Sequence, residues 1–228
     1  MFNWSVIVNE LIKITAKDNH QFSAYISQPV GKPKAGIVII QEIFGVNTHI
    51  KEVTDLYASK GYLCIAPSLF DRIEKNVSLN YDEKGISKGR NFKELCDKDA
   101  LKDIEASISV VSSAGKVGAI GYCWGGSLSW RIGCESSILS ASVCYYGGDI
   151  LKLKDLKPKC NILTHFGELD KGIPIKDVKI FEDKRPEVLT YTYPADHGFN
   201  CDHRRQFNKT CADIALDRTL KFLKKNLG

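Results

Sequence analysis

Three features of this sequence predict an α/β protein with a mostly parallel central sheet and helices on both faces. The continuous β-branched run Ala35-Gly36-Ile37-Val38-Ile39-Ile40 fits a strand buried on both sides. Runs of this kind alternate along the chain with segments of helical spacing. Ahead of the first buried run, two alternating apolar–polar segments flank a turn composition. They read as an antiparallel hairpin at the sheet edge.

The elements follow in order. Residues 10–15 (ELIKIT) and 22–27 (FSAYIS) are the hairpin strands, joined through Lys17-Asp18-Asn19-His20. The buried run 35–40 comes next. Ile50, Val53 and Tyr57 mark a helix over 48–60, with Gly61 as its stop. Tyr62-Leu63-Cys64-Ile65-Ala66 is a strand ended by Pro67. Residues 68–96 are polar without a clear period and are expected to form an irregular excursion with short helices. Leu101, Ile104, Ile108 and Val111 mark a helix, followed by a strand over 117–121 and a helix from about Gly125. Strands are predicted over 141–145, 161–166 and 187–193. The last helix carries Ala212, Ala215, Leu216, Thr219, Leu220 and Leu223 on one stripe. Neither an internal repeat nor a linker is visible, so residues 1–228 are expected to form a single domain.

Composition narrows the function. The chain has 228 residues, 43% of them hydrophobic, enough for a continuous core without disulfides. Its eight cysteines are scattered, with no C-x-x-C pair. Met1-Phe2-Asn3-Trp4-Ser5 has no basic region leading into a long apolar stretch, so a signal peptide is not expected. A cytoplasmic location with reduced thiols follows as an expectation. No apolar run approaches the roughly 20 residues of a membrane span. The net charge of +5 is interleaved along the chain. The densest basic cluster, Lys221, Lys224 and Lys225, reads as a solvated helix end opposing the helix dipole. A nucleic-acid patch is the competing reading, but no RNP, zinc-finger or phosphate-loop motif accompanies it.

Ligands of open α/β sheets bind beyond the carboxyl ends of the strands, so the residues just after strands matter most. Gly121-Tyr122-Cys123-Trp124-Gly125-Gly126 has the G-x-nucleophile-x-G form of a strand-to-helix elbow. Glycines two residues before and after relieve the collisions of so sharp a turn. The helix N-terminus that follows favours a thiolate and supplies an N–H for an oxyanion. Asp170 follows a later strand, with Glu168 as a competing acid, and His197 follows the last strand. The order nucleophile, acid, histidine is that of α/β-hydrolases. On this reading Cys123 attacks an acyl carbon, His197 transfers protons and Asp170 orients the imidazole. The Trp124 N–H, with a second N–H from the loop after the first central strand, would form the oxyanion hole.

The sequence resembles the dienelactone hydrolase family. The resemblance rests on Gln41-Glu42-Ile43-Phe44-Gly45-Val46-Asn47, on the elbow, on Gly167 through Pro174 and on His197-Gly198-Phe199. It implies an α/β-hydrolase fold, a Cys-Asp-His triad, no metal or organic cofactor, and a small lactone or carboxylic ester as substrate. It gives Ile43 the second oxyanion N–H and has Glu42 contact the resting thiol. A salt bridge or hydrogen bond to a neighbouring loop is the alternative for Glu42, since a buried carboxylate must be paired. The family binds a substrate carboxylate through arginines. Here Arg204, seven residues after the histidine, and Arg90, in the middle segment, are the candidates, while Arg205 reads as surface. Cys201 stands where the family's best-known member has an arginine, which departs from the dienelactone pattern itself.

Two rivals are weaker. Cys201-x-His203 with His197 hints at zinc, but without paired spacing or a second cluster. A non-catalytic α/β-hydrolase scaffold acting as an interaction module would be expected to lack at least one of the functional groups. The chain is therefore expected to be a monomeric lactone or ester hydrolase, with no nucleic-acid or membrane partner.

Overall fold

The β-branched run of the sequence lies at the centre of an eight-stranded sheet in this computed structural model, which describes residues 8–228. Met1–Ser5, read above for a leader, lies outside the described residues. The strands are β1 (Val8–Thr15), β2 (Gln21–Gln28), β3 (Gly36–Ile40), β4 (Leu63–Pro67), β5 (Val117–Tyr122), β6 (Leu139–Tyr145), β7 (Asn161–Gly167) and β8 (Leu189–Tyr193). Their order across the sheet is β1-β2-β4-β3-β5-β6-β7-β8. β1 and β2 form the antiparallel edge hairpin, with Thr15 opposite Gln21, and β2 pairs antiparallel with β4. Every pair from β4 across to β8 is parallel.

Alternation along β3 divides the core into two layers. Ile37 and Ile39 pack with α1 (Thr48–Ser59) and α6 (Lys209–Leu227), through Ile50, Tyr57 and Leu223. Val38 and Ile40 point the other way, onto α3 (Ala100–Val111) and α4 (Trp124–Glu135), through Ile104, Ile108 and Leu128. Each such side chain, wholly buried, stabilises the fold by roughly 1.5–3 kcal/mol. The chain leaves β3 towards β4 on one side and returns to β5 on the other. The loops after β3 and β5 therefore diverge at neighbouring strand ends, the crevice that α/β sheets use for ligands. All eight cysteines are free.

Two helices differ from expectation. Residues 68–96 are more ordered than an irregular excursion. A short 3-10 turn over Leu69–Arg72 precedes a 14-residue helix, α2 (Glu83–Cys96). The buried positions of α2 are Gly85, Gly89, Phe92 and Cys96, so half of its inward stripe is glycine and gives no apolar period. Gly89 lets α2 approach the loop after β3, and Gly85 lets its first turn pack on the segment that leads into it. A Cβ on Gly89 would collide with the Ile43 carbonyl oxygen, and one on Gly85 with that of Asn80. The second helix, α5 (Ile175–Lys184), buries only Val178 and Phe181 in a charged segment. Two anchors are too few to stand out by pattern.

Because Gly89 packs on backbone, which cannot give way cheaply, Gly89→Ala is expected to destabilise the chain by about 1–3 kcal/mol. Urea denaturation measures this directly. Ser87→Ala, on the exposed side of the same helix, should change stability by under about 0.5 kcal/mol.

Candidate active site

The turn from β5 into α4 is as sharp as its sequence implies. Cys123 is the N-cap of α4 with φ 56° and ψ −115°, a conformation that non-glycine residues rarely hold. It is held from both sides: its N–H donates to the Tyr145 carbonyl (3.0 Å) and its carbonyl accepts from Ser127 N–H (3.2 Å). A Cβ on Gly121 would collide with the Gly125 carbonyl oxygen. One on Gly125 would run into the Ile40 carbonyl at the end of β3. The two glycines of the motif are therefore close-packing requirements, and they press the elbow against the central strand.

Cys123, His197 and Asp170 come together from three strand ends. His197 Nε2 lies 3.2 Å from Cys123 Sγ, and His197 Nδ1 lies 2.6 Å from Asp170 Oδ2. Asp170 is buried and its other oxygen accepts from Gly172 N–H (2.8 Å). Glu168, the competing acid, instead accepts from the Thr192 hydroxyl on β8 (2.9 Å). Burial alone would pull the His197 imidazole down. Cys123 and Asp170 outweigh it and push the imidazole up to about 10.

The two expected oxyanion donors border the same cavity as Cys123. Trp124 opens α4, so its N–H has no intrahelical partner. Its indole donates to Asp97 (2.7 Å), which also accepts from Arg131 (2.8 Å), and its ring stacks on Phe70. Ile43 follows Glu42 in the turn after β3. The next bend, at Gly45 (φ 79°), bridges to Ser78.

Glu42 differs from expectation. Its carboxylate is fully buried and meets Tyr81 Oη (2.9 Å) and Arg204 Nη1 (3.1 Å), while the Cys123 thiol is paired with His197. The expected contact between Glu42 and the resting thiol is not made. The alternative, an ion pair to a neighbouring loop, is what the structure holds. The reason is electrostatic: a buried carboxylate is best compensated by a guanidinium and a hydroxyl, and a thiol donates weakly.

Arg204 and Arg90 both reach the cavity, which encloses about 370 Å³ beside Cys123 and His197. Arg204 is largely buried, with its guanidinium 5.9 Å from the Phe44 ring centre and 5.6 Å from that of Tyr81. Arg90 is exposed on α2, and Arg205 is exposed. Lys93 and Lys152 also border the cavity, but both are paired with Asp149 (2.7 and 2.8 Å).

Sequence reasoning missed Tyr81, Asp97 and Tyr146. Tyr146 has φ 39°, its ring lies 5.1 Å from that of His197, and its buried hydroxyl has no hydrogen-bond partner. Its place between a strand and Gly147-Gly148 was the one available signal. Tyr81 and Asp97 sit in the polar middle segment, where nothing set them apart.

A parallel sheet with a cysteine on the elbow after β5, and an acid and a histidine after β7 and β8, defines an α/β-hydrolase. A solved Klebsiella pneumoniae protein assigned as a dienelactone hydrolase superposes with a TM-score of 0.82, covering 96% of this chain and 99% of that one at 24% identity. At that identity the likeness speaks for the fold. The sequence profile of the dienelactone hydrolase family matches residues 22–227, and the chain belongs to that family. A Synechocystis protein assigned as a carboxymethylenebutenolidase is 31% identical over 232 residues, covering 92% of this chain and 94% of that one. Carboxymethylenebutenolidase 1 of Cupriavidus pinatubonensis is 27% identical, covering 95% and 97%. Family membership makes the chain a hydrolase of the lactone and ester class. Among the described residues no helix is long and apolar enough to cross a membrane.

The raised imidazole has a measurable consequence. Below about pH 6.5 the ring is charged in both folded and unfolded chains, and its pairing contributes fully. As pH rises towards about 10 the unfolded chain gives up the proton first and the contribution fades. A 15N-detected titration of His197 should centre near 10 and move down in Cys123→Ala. Wild type should also lose stability relative to His197→Gln across that interval.

Proposed function

We propose that this chain hydrolyses a small lactone or carboxylic ester through a Cys123 acyl-enzyme. The observation that carries the reading is the continuous path Cys123 Sγ–His197–Asp170, at 3.2 and 2.6 Å, opening on the cavity beside the helix N-terminus. The Cys123 thiol gives its proton to His197 Nε2 as Sγ attacks the acyl carbon, forming a C–S bond while the carbonyl becomes an oxyanion. The Ile43 and Trp124 N–H groups donate to that oxygen. Collapse breaks the acyl C–O bond, and imidazolium His197 protonates the departing oxygen, which in a lactone remains tethered to the acyl group. His197 then takes a proton from water as it attacks the thioester; the C–S bond breaks, the carboxylic acid leaves, and the imidazolium returns the proton to sulfur. Asp170 holds the imidazole with Nδ1–H towards the carboxylate and Nε2 towards sulfur.

Substrate selection is read from charge. Arg204 borders the cavity and is the candidate for pairing with a substrate carboxylate, with the exposed Arg90 as a second cation on α2. Glu42 acts through Arg204 rather than on sulfur. It positions the guanidinium and balances its charge before substrate arrives. The whole reading requires one folded unit over the chain and no partner beyond a small molecule.

With p-nitrophenyl acetate, wild type should show an acylation burst. Cys123→Ala should lose the burst and at least about 10³-fold in kcat. Asp170→Asn should fall by up to about 10⁴-fold, because the wrong tautomer is then favoured. Background rates equal in wild type and Cys123→Ala would overturn the reading. Arg204→Ala leaves the buried Glu42 carboxylate without its guanidinium, so both kinds of ester should be turned over more slowly, but KM should rise markedly more for carboxylate-bearing esters than for neutral ones; equal effects on both would remove its assigned role.

A further inference from the structure

Outside the cavity, four metal-ligating side chains converge where the loop before α6 crosses α1. His49 and Glu52 stand three residues apart in α1 and so share one face. Asp202 and His203 are adjacent in the loop that follows His197. One ligand atom from each lies within 4.8 Å of all the others. His203 Nε2 is 2.6 Å from Glu52 Oε2 and 3.9 Å from Asp202 Oδ1, and His49 Nδ1 is 3.4 Å from Asp202 Oδ1. His49 is 3% exposed and its Nε2 has no hydrogen-bond partner, so its neighbours do not satisfy the ring. A small cleft bordered by His49, Glu52 and Asp202 gives access from solvent.

We propose that His49, Glu52, Asp202 and His203 form a binding site for a divalent transition-metal ion of the zinc class, separate from the Cys123 site. Two neutral imidazoles and two carboxylates match the ligand preferences of Zn²⁺, and the two negative charges balance the ion. Tetrahedral bonds of about 2.0–2.2 Å place neighbouring ligand atoms about 3.4 Å apart, within side-chain adjustment of the separations seen here. The ion takes the place of the direct contact between His203 and Glu52. Two ligands come from α1 and two from the loop, so the ion pins the loop against the helix. Arg204 follows His203 directly, so its backbone is fixed by the same clamp. The site involves neither Cys123 nor His197, and it stands or falls independently of the proposed reaction.

The test uses the full chain treated with chelator and carrying Cys123→Ala and Cys160→Ala, which removes the two partly exposed thiols. Calorimetric titration with Zn²⁺ should give one equivalent bound at a Kd under about 10 μM, with a higher Tm in the bound form. Co²⁺ should give a d–d absorption without a thiolate charge-transfer band. His203→Ala and Asp202→Asn should each weaken binding by at least about tenfold with the far-UV spectrum unchanged. Weaker binding in the parent chain, equal affinity in the two variants, or a thiolate band would each overturn the proposal.

Discussion

Much of the molecule is arranged around one backbone conformation, that of Cys123 at φ 56°. An L-residue holds that conformation only when its surroundings leave no alternative. Here the Cys123 N–H is tied to the Tyr145 carbonyl and its own carbonyl to the Ser127 N–H, while within the elbow Gly121 packs on the Gly125 carbonyl and Gly125 on that of Ile40. β3 must lie beside β5 for Gly125 to meet Ile40, and β6 must lie beside β5 for Tyr145 to accept the Cys123 N–H. The parallel centre of the sheet thus both supports the strained turn and raises the thiol to the open end of the strands.

A second constraint is the buried carboxylate of Glu42. Its charge can be kept inside only because Arg204 and Tyr81 reach it from two other parts of the chain. That pairing ties the loop after β3 to the loop after β8 and to the middle segment. The loops that carry Ile43 and His197 are thereby coupled to Arg204, whose guanidinium lies deep beside the cavity. α2 completes the arrangement by resting glycine against Ile43, so the middle segment forms a wall of the cavity.

Local chemistry was legible wherever a residue's role follows from its neighbours in the chain. The elbow glycines, the edge hairpin and the buried runs are patterns of this kind, and all correspond to elements of the structure. α2 was hidden because packing against backbone demands glycine on its inner face, which erases the period that marks a helix. α5 was hidden because its contact with the core is only two side chains wide. The sequence reading placed Asp170 in the triad but kept Glu168 as a competing acid, since both follow β7. One points to β8 and the other to the histidine, a difference set by the turn at Gly172.

Read alone, the chain determined its α/β class, the positions of its strand ends and the thiol on the elbow. These depend on steric rules and periodicities that act over a few residues. Only the tertiary structure decided that Glu42 faces Arg204 instead of sulfur, and that Tyr146 packs on the proposed base. It alone brought His49 and Glu52 to meet Asp202 and His203, about 150 positions away in the chain, as the 151-residue separation of Glu52 and His203 shows. Each of these depends on which distant groups share a volume too small for water to screen their charges. No local pattern encodes that.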